Sequence, residues 1–80
     1  MNKIDFLKEA LKVKGYIFKS YKDMHIEIGF ENCRVEIWET LEENLYFKII
    51  DINEKKIFSK TYKTINNVFK YGFKNIIMEE

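Results

Sequence analysis

The stretch that decides the fold runs Met24-His25-Ile26-Glu27-Ile28-Gly29-Phe30-Glu31-Asn32-Cys33-Arg34-Val35-Glu36-Ile37-Trp38. Its apolar residues take alternate positions on either side of Glu31-Asn32, which is the period-2 pattern of two half-buried strands. A two-residue turn at Glu31-Asn32 sets one register. It pairs Phe30 with Cys33, Ile28 with Val35 and Ile26 with Ile37 on one face, and Glu27 with Glu36 and His25 with Trp38 on the other. Met24 belongs to the apolar set.

The next connection, Thr40 to Asn44, is polar and has the length of a common hairpin loop. Leu45, Phe47 and Ile49 then continue the buried row opposite Glu39, Ile37 and Val35. On the outer face Trp38 meets Tyr46 and Glu36 meets Lys48. Like charges directly opposite in a sheet cost roughly several tenths of a kcal/mol. Glu27 beside Glu36 therefore has two readings: both carboxylates splay into water with Arg34 and Lys48 nearby, or they form a functional acidic patch.

Working outward, Asn2 to Lys14 reads as a helix with Ile4, Leu7 and Leu11 on its buried stripe and Phe6, Ala10 and Val13 widening it. Asn2 is the expected N-cap and Gly15 the residue that stops the helix. Tyr16 to Tyr21 reads as a first, edge-like strand for which two registers fit, with Lys22-Asp23 as its turn. After Ile49 the chain turns around Asp51 to Lys55 and returns as Ile57 to Lys60. A two-residue loop there buries Phe58 and a three-residue loop buries Ile57, because one step of slip exchanges faces. Either outcome leaves a large apolar group beside Trp38, Tyr46 and Ile50. From an N-cap at Thr61, Tyr62 to Ile77 reads as a second helix with Ile65, Phe69, Gly72 and Ile76 inside, flanked by Val68 and Phe73. Gly72 costs a helix about 1 kcal/mol relative to Ala, so its inner position predicts a close approach.

The fold expected is α+β and two-layered: a helix, an antiparallel meander of four or five strands and a helix, with both helices on one sheet face. The other face stays open to solvent. Residues 1–80 make one small domain, which buries only about 60% of its unfolded surface. At 46% hydrophobic residues the chain can supply the dense core this demands. The one cysteine, Cys33, lies on the predicted core face and fits a reducing compartment. No apolar run approaches the roughly 18 residues of a membrane span, and no signal-peptide pattern opens the chain. A soluble cytoplasmic protein with no membrane partner is expected.

Catalytic and metal signatures are missing from the pattern. The only histidine, His25, falls opposite Trp38 and away from the inward Cys33, so no nucleophile and base come together. Asp51 and Glu54 lack the ligand series of a calcium loop, and three glycines form no phosphate loop. Glu27 and Glu36 on an open sheet have no pocket to serve as an acid/base pair. The sequence predicts a non-enzymatic chain without cofactor.

Charge is segregated. Residues 21–54 hold three cations and nine acids, whereas residues 55–75 hold six lysines and no acid, although the whole chain is only +1. An acidic sheet speeds and selects the docking of a basic partner. Trp38 and Tyr46 are the expected aromatic anchors, with Glu27, Glu36 and Glu39 supplying steering and charge pairing. The leading expectation is a protein-binding module that occupies a basic surface of its partner; a cross-strand pair that steadies the sheet and a homodimer through the same face are the other readings of those aromatics.

The order helix, strands, helix, with a lysine-bearing last helix, resembles the double-stranded RNA-binding domain, which implies RNA contact through Lys63, Lys70 and Lys74. That family carries Gly-Pro-x-His before its second strand and Lys-Lys-x-Ala-Lys at its last helix; this chain has Lys22-Asp23-Met24-His25 and Lys60-Thr61-Tyr62-Lys63 there. Thirteen lysines against one arginine, in a chain rich in Ile, Asn, Phe and Tyr, look like AT-rich coding. A small acid-faced domain of that composition also resembles the inhibitors that phages and mobile elements deploy against host nucleases, anti-CRISPR proteins among them.

Overall fold

In the computed structural model, which describes residues 2–22 and 25–77, the chain forms α1 (Lys3–Lys14), β1 (Lys19–Tyr21), β2 (His25–Gly29), β3 (Cys33–Glu39), β4 (Leu45–Asp51), β5 (Lys56–Tyr62) and a C-terminal helical segment. The five strands pair in sequence order as one antiparallel meander. Ile4, Leu7 and Leu11 of α1 and Val68 and Phe73 of the C-terminal segment join Ile26, Ile28, Val35, Ile37, Phe47 and Ile49 of the sheet in a single core. Both helical elements therefore cover one face. No described helix is long and apolar enough to cross a membrane.

The central hairpins have the register expected of them. Phe30 N–H donates to Cys33 O at 2.8 Å across the Glu31-Asn32 turn, and Ile26 faces Ile37 while Ile28 faces Val35. In the next hairpin Trp38 faces Tyr46 and Glu36 faces Lys48. Its loop closes with Thr40 N–H on Asn44 O and Glu43 N–H on Thr40 O, and Glu43 takes a left-handed φ of 65°. Glu54 repeats that conformation in the last hairpin, where the Asp51 carboxylate accepts from Asn53 N–H and Lys55 N–H. The turn there is the three-residue kind. A bulge between Ile49 and Ile50 then shifts the pairing from Ile49–Phe58 to Ile50–Lys56. The extra residue is Ile57, which is 56% exposed, and Phe58 returns to the core side.

Four local expectations change. Phe6 and Val13 do not widen the buried stripe of α1: they are 54% and 87% exposed. At 3.6 residues per turn Val13 lies half a turn from Ile4, so it points to solvent when Ile4 points inward. The first strand is shorter than Tyr16 to Tyr21, because Tyr16 turns in to stack on Phe73 at 5.1 Å and leaves only Lys19–Tyr21 on the edge of β2. The last helix does not begin at Tyr62, which pairs with Leu45 in β5 and is buried; its N-cap is Thr64, whose hydroxyl accepts from Asn67 N–H at 3.2 Å, instead of Thr61. Nor is that helix continuous. It runs as α2 (Ile65–Asn67), a wide π-helical turn Val68–Gly72 and α3 (Lys74–Ile77). Met24 and Asp23 lie outside the described residues.

Two helix ends behave as read. The Asn2 side chain accepts from Asp5 N–H at 3.1 Å, and Gly15, at φ 86°, ends α1. Gly72 does sit at a close approach: a Cβ there would lie 3.2 Å from the Phe47 ring. The wide turn sets that glycine against the centre of the core.

Candidate functional site

Register turns the uncovered face of the sheet into rows that cross the strands. One row is Tyr21, His25, Trp38, Tyr46 and Thr61; the next is Lys19, Glu27, Glu36, Lys48 and Ser59; a third holds Gly29, Arg34, Ile50 and Lys56. Each row follows from alternation along the strands, since residues of equal parity share a face.

The first row is aromatic. His25 stacks on Trp38 with ring centroids 3.9 Å apart and planes 7° apart, and Tyr21 stacks on His25 at 4.7 Å. Trp38 and Tyr46 are half-buried, and Tyr21, at 41% exposure, forms the open end of the row. Stacking pre-orders the rings, so little rotamer freedom remains to be lost when another surface meets their edges.

The charged rows are centred on Arg34. Its Nε–H donates to Glu36 Oε2 at 3.0 Å and lies 3.0 Å from Glu27 Oε2, while its two terminal nitrogens form a bidentate pair with Glu54 at 2.7 and 2.9 Å. Lys48 Nζ approaches the other oxygen of Glu36 at 3.5 Å, and Tyr21 Oη donates to Glu27 at 2.8 Å. The two facing carboxylates therefore do not splay into water: Arg34 and Lys48 hold them. Three carboxylates meet two cations in this network, and Lys19 and Lys56 in the same rows bring the face to four cations against those three carboxylates, so among the described residues the expected acidic surplus is not found on it.

The proton affinities follow from this wiring. Burial raises Glu36, which is only 9% exposed, but the Arg34 hydrogen bond and the charges of Lys48 and Arg34 outweigh it and hold its carboxyl below the ordinary 4.5. The Arg34 hydrogen bond and charge likewise lower Glu54. Hydrogen bonds to Glu54 and Glu36 raise Arg34 against the opposing effect of burial. Its hydrogen bond to Glu27, with burial and the Glu27 charge, raises the Tyr21 phenol.

Of the expected docking residues, Trp38, Tyr46, Glu27 and Glu36 share this face. Glu39 does not. It lies on the helix side, opposite Leu45, where its carboxylate accepts from Ile4 N–H at 3.0 Å in the first turn of α1. A carboxylate there satisfies a free amide and complements the helix dipole. Lys63, in the connection after β5, and Lys70 and Lys74, in the C-terminal segment, are exposed and belong to none of these rows.

Two members of the site escaped the sequence reading. Tyr21 joins the aromatic row only in the register Tyr21–His25, which the sequence left undecided between two choices. Glu54 reaches Arg34 from 20 residues away because the last hairpin folds its tip over β3, and no spacing rule signals that. Beside Arg34, where β1 begins, Ile17, Phe18, Lys19, Glu27 and Gly29 complete the walls of an open depression of about 480 Å³. Among the described residues no three His, Cys, Asp or Glu side chains gather as a metal ion would require. No protein-family model, curated protein or solved structure matches the chain.

Proposed function

We propose that the chain is a non-enzymatic protein-binding module that docks through the uncovered face of its sheet. The observation that carries this reading is the aromatic row on the face opposite both helical elements, in which Tyr21, His25 and Trp38 are pre-stacked and Tyr46 is the cross-strand neighbour of Trp38. Tyr and Trp at the centre of a contact dominate interface energies because they bury much area at small entropic cost. The Arg34 network beside the row supplies satisfied polar groups, and its carboxylates Glu27, Glu36 and Glu54 offer acceptors to basic groups of a partner. Glu27, Glu36 and Glu54 are already paired, so charge orients the partner and the rings hold it. Where that partner is a nuclease or another nucleic-acid enzyme, covering its basic surface is competitive inhibition.

The size of the face sets the strength expected. Five strands about 4.8 Å apart and some six residues of about 3.4 Å each span about 20 by 20 Å. That is roughly half the 800 Å² that a standard interface takes from each partner. The hairpin tips must join the contact, or binding is transient.

The test is affinity capture with the wild-type chain and with Trp38→Ala/Tyr46→Ala, after circular dichroism has shown that both are folded. The wild type retains a partner that the double variant loses, and the fluorescence of Trp38, the sole tryptophan, shifts when the purified partner is added. A double variant that captures the partner as well as wild type refutes the proposal. So does a pure homodimer in solution that seals this face.

A further inference from the structure

The chain has a second charged surface on the opposite side, and the sheet-face reading makes no use of it. From Lys63 to residue 77 the chain contains three lysines, Lys63, Lys70 and Lys74, all exposed, and no acid. Two contacts bring α1 to the same surface. Lys3 Nζ donates to the Lys63 carbonyl, and Lys14 Nζ sits 4.9 Å over the Phe69 ring. The start of α1 therefore lies beside the start of the C-terminal segment, and its end lies beside the π-helical turn. Lys8 and Lys12 are compensated by Asp5 and Glu9 at 3.8 Å, whereas the acceptor met by Lys3 is a neutral carbonyl. The result is a seam of cations, Lys3 and Lys63 at one end, Lys14, Lys70 and Lys74 at the other. Eleven helical steps of about 1.5 Å make it about 16 Å long. One carboxylate, Glu39, lies near the Lys3 end, bound to Ile4 N–H.

We infer that this seam binds the phosphate backbone of a nucleic acid, as a site separate from the sheet face. A line of like-charged flexible side chains fits a ligand that carries negative charge at regular intervals. Tyr71, 44% exposed and 5.3 Å from Lys70 Nζ, offers an aromatic ring beside the cations, the pairing that single-stranded nucleic acid uses for its bases. An anionic bilayer fits less well. Phe6 and Val13 are the exposed apolar side chains of α1, and the exposed Glu9 lies between them on the same solvent-facing arc, so a bilayer touching both would press a carboxylate into its headgroups.

The experiment is fluorescence anisotropy of the full chain with a labelled single-stranded RNA of mixed sequence and with a labelled DNA duplex. Binding to either is expected at about 50 mM salt, with a slope of log affinity on log salt of about −2 to −3.5 for the single strand and about −2.7 to −4.5 for the duplex, as three to five phosphate contacts imply. Lys14→Glu/Lys70→Glu lowers affinity more than about tenfold, a change of about four units of charge along so short a line. Lys19→Glu/Lys22→Glu, at the far edge of the sheet, changes it less than about threefold, and Trp38→Ala/Tyr46→Ala leaves it unchanged. If the charge reversal unfolds the chain, Lys14→Gln/Lys70→Gln is read in its place, with at least a threefold loss expected. The inference is overturned if neither probe binds at low salt, if reversal at the far edge costs as much as reversal in the seam, or if only phosphatidylserine vesicles are bound. Failure of partner capture through Trp38 and Tyr46 leaves this outcome untouched, because the two sites share no residue.

Discussion

Replacing Arg34 with methionine removes the cation that allows Glu27 to stand opposite Glu36. Methionine keeps most of the length and the apolar stem, so the change is one of charge and hydrogen bonding. The largest loss is the charge-assisted hydrogen bond to Glu36, whose side chain is 12% exposed; such bonds contribute about 1.5–3 kcal/mol. The facing carboxylates then repel at a cost of roughly several tenths of a kcal/mol. The pair with Glu54, whose side chain is 67% exposed, adds little because solvent screens it. The expected destabilisation is about 2–4 kcal/mol, read as a lower urea midpoint by circular dichroism. A double-mutant cycle with Glu27→Gln isolates the cause. In wild type Glu27→Gln destabilises, because it discards the contact with Arg34; in Arg34→Met it restores about 0.5–1 kcal/mol, because it discards the repulsion. The pH dependence runs the same way. The Glu36 carboxyl, held below 4.5 in wild type, stabilises the fold in full above that value, and the contribution is lost as pH falls through the lowered one. In Arg34→Met only Lys48 is left to oppose the effect of burial on Glu36, so the gap between the two proteins is widest at neutral pH and closes as Glu36 becomes protonated in both. A cost under about 0.5 kcal/mol, or Glu27→Gln acting with the same sign in both backgrounds, refutes the idea that Arg34 holds this face together.

Three further outcomes are expected. Gly72→Ala destabilises by about 1–2 kcal/mol in a thermal or urea melt although alanine is the better helix former, since its Cβ meets the buried Phe47 ring at 3.2 Å; Phe47→Leu in the same chain reduces the penalty. Glu39→Ala costs about 1–2 kcal/mol in a urea melt and Glu39→Gln about half as much, because glutamine keeps an acceptor for Ile4 N–H and loses only the charge at the helix start. Phe6→Ser and Val13→Ser each change stability by less than about 0.5 kcal/mol, whereas Leu7→Ala, at a fully buried position, costs about 2–5 kcal/mol.

Much of the face was legible because sheets obey a strict period. Alternation in two strands joined by a short turn leaves a single register that buries every apolar side chain, and Glu27–Glu36, Trp38–Tyr46 and Glu36–Lys48 follow from it. The edge strands were less legible for the same reason. Tyr16 to Tyr21 is apolar on both parities, so alternation could not choose, and the choice fell to Tyr16 docking between Phe30 and Phe73. In the last hairpin a bulge compensated a three-residue loop, a pairing of two irregularities that no single loop length reveals.

What the amino-acid order determined by itself was therefore local and periodic: the caps at Asn2 and Gly15, the two central hairpins, the buried row they share and the need for room at Gly72. What only the tertiary structure decided was how charges and rings from separate segments meet. Glu39 left the acidic set for the first turn of α1, Arg34 drew in Glu54 from the last hairpin, and Tyr21 completed a stack begun by His25 and Trp38. Neighbour rules reach three or four residues along a helix or one strand across a sheet. A carboxylate 20 or 35 residues away comes within hydrogen-bonding distance only after the core has placed the elements that carry it.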